Sequence, residues 1–264
     1  MVVNADDFGY TRDVNEGIIA AHRGGILTAT TLMANGRAFD HAVELAKQNP
    51  DLDVGCHLVL VGGQSLIDGR EYPHSVRQLI AETAAGKWKP FDELRAQVER
   101  ILTAGLAPTH LDTHKHTHLL PSVLDAVARV GEEYRILWVR RPFDFPLSGG
   151  PSSLARRLIS RAFGFLRPRF HEVLTRHGRR TTDHFAGFEL TGEFRTEDLL
   201  RLIEHLPEGS TEFMCHPGYC RDELQRAPTR LKESRELELA ALTDSRVRDA
   251  LAAHRVELTR YRDL

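Results

Sequence analysis

The chain has 264 residues, 41% hydrophobic and 27% charged, enough to bury a substantial core as one large α/β domain or two small ones. Its 35 Lys and Arg against 37 Asp and Glu leave a formal charge of −2, which speaks against wholesale binding to nucleic acid, and its three Cys, with no CxxC pair, fit a reducing compartment rather than a disulfide framework. No apolar run reaches the roughly 18 residues of a membrane span, and no charged n-region with an apolar core precedes the first strand, so the expectation is a cytosolic protein.

From the N-terminus, "VVNAD" (2–6) reads as a buried strand, followed by a helix with Asp13 and Glu16 as a capping box and a stop at Gly24-Gly25. Strands are then expected at "ILTATTLMA" (26–34), "DVGCHLVL" (53–60) and "THLDTH" (109–114). Leu94, Val98, Ile101 and Leu102 share a helical face between Asp92 and Gly105, and Val123, Leu124, Val127 and Val130 share another after Pro121. Further strands are predicted at "ILWVRR" (136–141), "DHFAGF" (183–188), "TEFMCH" (211–216) and "VELTRY" (256–261). Repeated βα units with about eight strands predict an α/β fold, an irregular (β/α) TIM-like barrel forming a single domain over 1–264. No GxGxxG or GxxxxGK[ST] supports a nucleotide-binding sheet instead. A basic amphipathic insertion is expected at about 150–182, where residues 154–180 hold eight Arg and one acid, Glu172. Its apolar side would pack on the barrel or on the partner subunit of a homodimer, or would meet an anionic membrane.

In a barrel the site forms at the carboxyl ends of strands, and reactive residue types gather there. Asp6 and Asp7 end the first strand, His57 lies in the third, His114 ends the fourth, Arg140 and Arg141 end the fifth, and His216 ends the seventh. Side chains alternate along a strand, so Asp6 and Asp7 can serve one site only if the strand ends there and the chain turns, which Phe8-Gly9 allows. His110, Asp112, His114 and His116 would share a face if extended, yet residues two apart are roughly 6.6 Å apart, so one or two of them are realistic ligands. Cys56 and Cys215, beside His57 and His216, are read as small packed hydrophobes. A divalent ion held by one carboxylate and two imidazoles, with the second carboxylate off the metal as base and a His from another strand protonating a leaving amine, points to amide or ester hydrolysis. Alternation alone does not say which of Asp6 and Asp7 faces the ion.

"NADDFG", "GCHLVL", "THLDTHKHTH" and "MCHPG", in that order, resemble the YdjC-like carbohydrate deacetylases, also called the ChbG/HpnK family. The resemblance implies a distorted barrel and a metal-dependent hydrolase removing the N-acetyl group from an amino sugar. It implies Asp7, His57 and His114 as ligands to one divalent ion, Mg²⁺ or Zn²⁺, Asp6 as base, and His216 as acid. It also implies Arg140 as a substrate-binding residue, leaving Arg141 structural. "HKH" (114–116) and "HLVLVGG" (57–63) look closer to the hopanoid-associated branch, which implies a lipid-linked amino sugar deacetylated at the inner face of the membrane, with chitin oligosaccharides as the alternative. A phosphoesterase using the same ligands and a non-catalytic sugar-binding protein are the competing classes.

Overall fold

The computed structural model describes residues 1–147 and 154–264. Seven strands are described, β1 (Val2–Phe8), β2 (Ala29–Leu32), β3 (Asp53–Leu58), β4 (His110–Thr113), β5 (Trp138–Val139), β6 (His184–Ala186) and β7 (Thr211–Cys215). They form one parallel sheet in the order β5-β4-β3-β2-β1-β7-β6. Isolated bridges from Trp138 to Arg180 and from Asp144 to Phe185 tie the chain around β5 to the chain around β6, so the sheet curls into an irregular barrel without a regular seam. Strands in such a ring are covered on both faces, and β1 and β3 are buried at every position.

Eleven described helices connect the strands: α1 (Arg12–Gly24), α2 (Phe39–Gln48), α3 (Val76–Ala84), α4 (Pro90–Thr103), α5 (Pro121–Glu133), α6 (Leu154–Phe163), α7 (Arg167–Arg176), α8 (Thr196–Glu204), α9 (Asp222–Arg226), α10 (Glu233–Thr243) and α11 (Ser245–Ala253). α4 and α5 begin on a proline whose fixed φ suits the first turn and whose missing N–H would have had no partner there. The predicted stripe Val123, Leu124, Val127 and Val130 is buried, and at about 1.5–3 kcal/mol per enclosed aliphatic side chain such packing holds the helix more firmly than its intrinsic propensity. The α1 cap differs from the expectation. Thr11, not Asp13, is the N-cap, its hydroxyl accepting from the Val14 N–H, while the Asp13 carboxylate accepts from the Leu224 N–H and anchors α9.

The predicted insertion splits in two, and its residues 150–153 lie outside the described ones. α7 buries Phe170, Val173 and Leu174 in the core, whereas α6 buries no side chain.

"VELTRY" is not an eighth strand. β1 is already paired on both sides, by β2 and β7, so it has no free ladder to offer. Near β1 the segment instead bonds to the first residue, the Thr259 N–H donating to the Met1 carbonyl and the Met1 ammonium to the Glu257 carbonyl. Its Tyr261 closes the amino-terminal end of the barrel, 1% exposed, packed with Val2 and Ala29 and stacked on His110 at a ring separation of 4.0 Å. Tyr261→Ala should lower the unfolding free energy by about 3–5 kcal/mol, the usual cost of emptying a buried aromatic site, as read by urea denaturation.

Candidate active site

The paired carboxylates are accommodated by a bulge rather than by the end of a strand. Ala5 pairs with Thr30 and Phe8 with Leu32, three steps on β1 against two on β2, so one residue is extra. Asp7 takes a left-handed φ of 70°, a conformation that costs a non-glycine residue roughly 1–2 kcal/mol. That strain turns both Asp6 and Asp7 into one cavity while the strand continues to Phe8. The turn follows at Gly9, with φ 93° and its N–H donating to Asn15 Oδ1.

Asp7, His57 and His114 meet at the wall of that cavity, which Asp7 and His114 line while His57 is buried behind them. Asp7 Oδ1 lies 3.4 Å from His57 Nε2 and 3.3 Å from His114 Nδ1, and the two nitrogens are 3.2 Å apart. Donor atoms about 2.1 Å from a common ion would be separated by roughly 3.0–3.4 Å in octahedral to tetrahedral geometry, so the triangle has the size of one face of a coordination shell. Asp7 Oδ1 is buried with no hydrogen-bond partner, an acceptor whose enclosure a cation would offset. The three residues therefore fit a divalent ion. His57 Nδ1 is 2.7 Å from Asp112 Oδ1, which fixes the ring proton on Nδ1 and turns the Nε2 lone pair toward the other two donors. Burial opposes charge on His57, but Asp112 and Asp6 outweigh it and raise the imidazole to about 10. The same carboxylates would attract a metal cation.

Asp6, His57 and Asp112 also lie close together, but a guanidinium occupies the space an ion would need. Arg140 Nη1 and Nη2 donate to both oxygens of Asp6 at 2.9 and 2.7 Å, Nη1 reaches Asp112 Oδ2 at 2.7 Å, and Nε donates to Glu212 at 2.8 Å. The side chain is fully buried. This corrects the expectation that Arg140 meets substrate: it does not line the cavity, and its donors are taken by carboxylates. Arg141, its neighbour, is partly buried and does not line the cavity either. Burial raises the Asp6 carboxyl, with Arg140 opposing and Asp112 adding to the rise. At Asp7 burial is overcome by Arg235 and the two imidazoles, and the carboxyl sits well below the usual range.

His216 Nε2 is 3.8 Å from Asp6 Oδ2, and burial lowers its imidazole to about 3. Its backbone N–H donates to Glu238 Oε2, whose partner oxygen accepts from the Gly192 N–H. Arg235, three residues before Glu238 on α10, donates to Asp7 Oδ2 at 2.5 Å. Neither α10 residue was among the expected site residues, although a signal existed: Arg235, Glu238, Leu239 and Leu242 recur at helical spacing and are all buried, which places two charges on an inward face.

The His-rich segment is divided among tasks. His110 bonds Asn4 and stacks on Tyr261, and His118 bonds Thr113 and the Arg140 carbonyl. Lys115 and His116 adopt left-handed φ of 56° and 50°, the turn that separates His114 from the next helix. Cys56 and Cys215 are fully buried in the core, as expected of small hydrophobes. The cavity beside Asp7 and His114, about 1190 Å³, is lined by Tyr10, Met33, Val61, Phe188 and Met214 and by Ile159 of α6.

Three comparisons bear on this site. The model of the family described as "YdjC-like protein" matches residues 1–253. A carbohydrate deacetylase of Brevibacillus brevis is 34% identical, covering 100% of this chain and 99% of the relative, and one of Geobacillus stearothermophilus is 35% identical over 99% and 96%. A crystal structure of an Enterococcus faecalis protein named for cellobiose-phosphate cleavage superposes with a TM-score of 0.76 at 23% identity, covering 99% of this chain and 97% of that one, a likeness of fold.

Arg140→Leu should cost about 3–5 kcal/mol or prevent folding, because it strands buried carboxylates. His114→Ala should leave the unfolding free energy within about 1 kcal/mol, since this partly buried side chain lines the cavity and does not pack in the core. Chemical denaturation of both variants checks the contrast.

Proposed function

From the premise that the chain belongs to the YdjC-like family, we propose that it is a metal-dependent carbohydrate deacetylase removing the N-acetyl group from an amino sugar, in a glycan or a lipid-linked glycoconjugate. The observation that carries the reading is the Asp7, His57 and His114 triangle at ligand spacing, with Asp6 and His216 beside it in one cavity. Asp7 Oδ1, His57 Nε2 and His114 Nδ1 would hold one divalent ion, Zn²⁺ or Mg²⁺, with the two imidazoles favouring Zn²⁺. When bound, the ion polarises the amide carbonyl and acidifies a water.

The remaining steps belong to side chains. Asp6 takes the proton of the attacking water; its two oxygens are gripped by the Arg140 fork, so its remaining lone pairs are held in a fixed direction. His216 faces Asp6 and delivers a proton to the leaving amine nitrogen at Nε2. Burial keeps His216 neutral at rest, so in this scheme the proton it donates is the one Asp6 takes from the water, passed on from Asp6 Oδ2 to the facing Nε2. Arg140 acts as a positioning residue for the base rather than as a sugar contact.

Asp6→Asn should retain the ion and lose about 10²–10⁴-fold in turnover, while His57→Ala and His114→Ala should lose the ion as well. Metal analysis of the purified variants beside an acetate-release assay on acetamido sugars checks this; an Asp6→Asn protein without metal would reverse the roles of the two aspartates, and release of phosphate rather than acetate from model substrates would replace the reading with a phosphoesterase. His216→Ala should slow amide hydrolysis far more than hydrolysis of an activated acetyl ester, whose leaving group needs no proton. Equal losses on both would make His216 structural.

A further inference from the structure

α6 and the short 3-10 turn after it (Gly164–Leu166) have two faces of different use. Ala155, Arg156 and Ile159 line the cavity. On the outside, Leu154, Leu158, Phe165 and Leu166 are 74%, 55%, 88% and 40% exposed. Leu154 and Leu158 are one helical step of four apart, so their side chains form a ridge that the phenyl ring of Phe165 extends. Scattered exposed leucines need no explanation, but a ridge ending in an almost fully exposed Phe marks a contact surface. The segment is also firmly attached, since α7 directly after it buries Phe170, Val173 and Leu174 in the core.

Charge selects the occupant. Residues 154–180 carry eight Arg and only Glu172 as acid, and Glu172 is already engaged by Arg169 and Arg176. Arg161 has no ion pair among the described residues, and Arg167 only stacks over the ring of Phe143. A second copy docked on the same ridge about a two-fold axis would set these like charges against each other. An anionic lipid surface offers what the ridge lacks, an apolar layer for Leu154, Leu158 and Phe165 and phosphates for the guanidinium groups around them.

We infer that the Leu154, Leu158 and Phe165 ridge docks on an anionic phospholipid surface, bringing the rim of the cavity, on the same helix, to the headgroup plane. The docking needs no particular chemistry in the site and stands or falls independently of the deacetylase reading.

Co-sedimentation of the full chain with phosphatidylcholine vesicles containing phosphatidylglycerol, against pure phosphatidylcholine vesicles, tests it at low and moderate salt. The expected result is partitioning at least about tenfold stronger on the anionic vesicles, weakened by salt. The double variant Leu158→Ser, Phe165→Ser should reduce it by about tenfold, and Arg161→Gln with Arg167→Gln by a similar factor with a shallower salt dependence; all these positions are on the surface, so thermal melting should be unchanged. Equal recovery with both vesicle types, or no partitioning at all, overturns the inference. So does a dimer in sedimentation equilibrium that the Ser variant dissociates, which would assign the ridge to a second copy.

Discussion

One buried guanidinium ties this barrel together across its interior. Arg140 follows β5 at one edge of the sheet, and the carboxylates it holds stand on β1, β4 and β7. Only β4 is a ladder neighbour of β5. The bonds to Asp6 and Glu212 therefore span the ring, where no backbone hydrogen bonds could. Taking four charged groups out of water is expensive, and the arrangement is tolerable only because all three guanidinium nitrogens donate to carboxylates. Burial still leaves Glu212 raised to about 7 despite its contact with Arg140, a sign that one cation does not fully offset three acids. The remaining negative character faces His57 and the ligand triangle. A brace that closes the fold thus also sets the electrostatics in which a metal cation would sit.

The same brace divides two adjacent aspartates. Asp6 and Asp7 are consecutive and equally enclosed, yet their carboxyl groups move in opposite directions. Asp6 shares its arginine with Asp112 and Glu212; Asp7 has the Arg235 guanidinium on one oxygen and two imidazoles beside the other. Carboxylates that environment pushes apart in this way can hold different roles at one pH, a stable anion for coordination and a group able to accept a proton. The bulge is what permits it, since without the extra residue in β1 the pleat would send one of the pair to the opposite face. Left-handed strain at Asp7 is accordingly concentrated where two carboxylates enter one cavity.

How much of this was legible in the sequence follows from what each signal reports. Residue type at strand ends carries chemistry, so Asp6, Asp7, His57, His114 and His216 could be picked out before any contact was seen. Alternation in "VELTRY" reports only that a segment could pair, not that a ladder is free, and β1 had no free side left. Arg140 was visible as a residue but not as a brace, because a fully enclosed arginine and a substrate-facing one read alike in a single sequence. Asp13 was misplaced as a cap for a related reason. Thr11 does the same job two residues earlier, and nothing local indicates that the Asp13 carboxylate is claimed by a backbone N–H more than two hundred residues away.

The contribution of α10 shows why the last part of a site is hardest to read from motifs. Arg235 and Glu238 reach Asp7, in the bulge of β1, and His216, just after β7, from one turn of one helix. A rigid element carrying both contacts fixes the distance between the Asp7 carboxylate and the imidazole beside Asp6 more closely than two loops would. Gly17 of α1 allows the approach: a Cβ there would fall 2.4 Å from the Gly218 Cα, and the Gly218 N–H donates to the Arg235 carbonyl. The loop carrying His216 is therefore clamped between α1 and α10. No residue in that clamp is chemically reactive, and so no pattern of reactive residues announces it. What sequence periodicity does disclose is that two charged side chains lie on a buried helical face, and a buried charge needs a partner. In this chain the partners are the site itself.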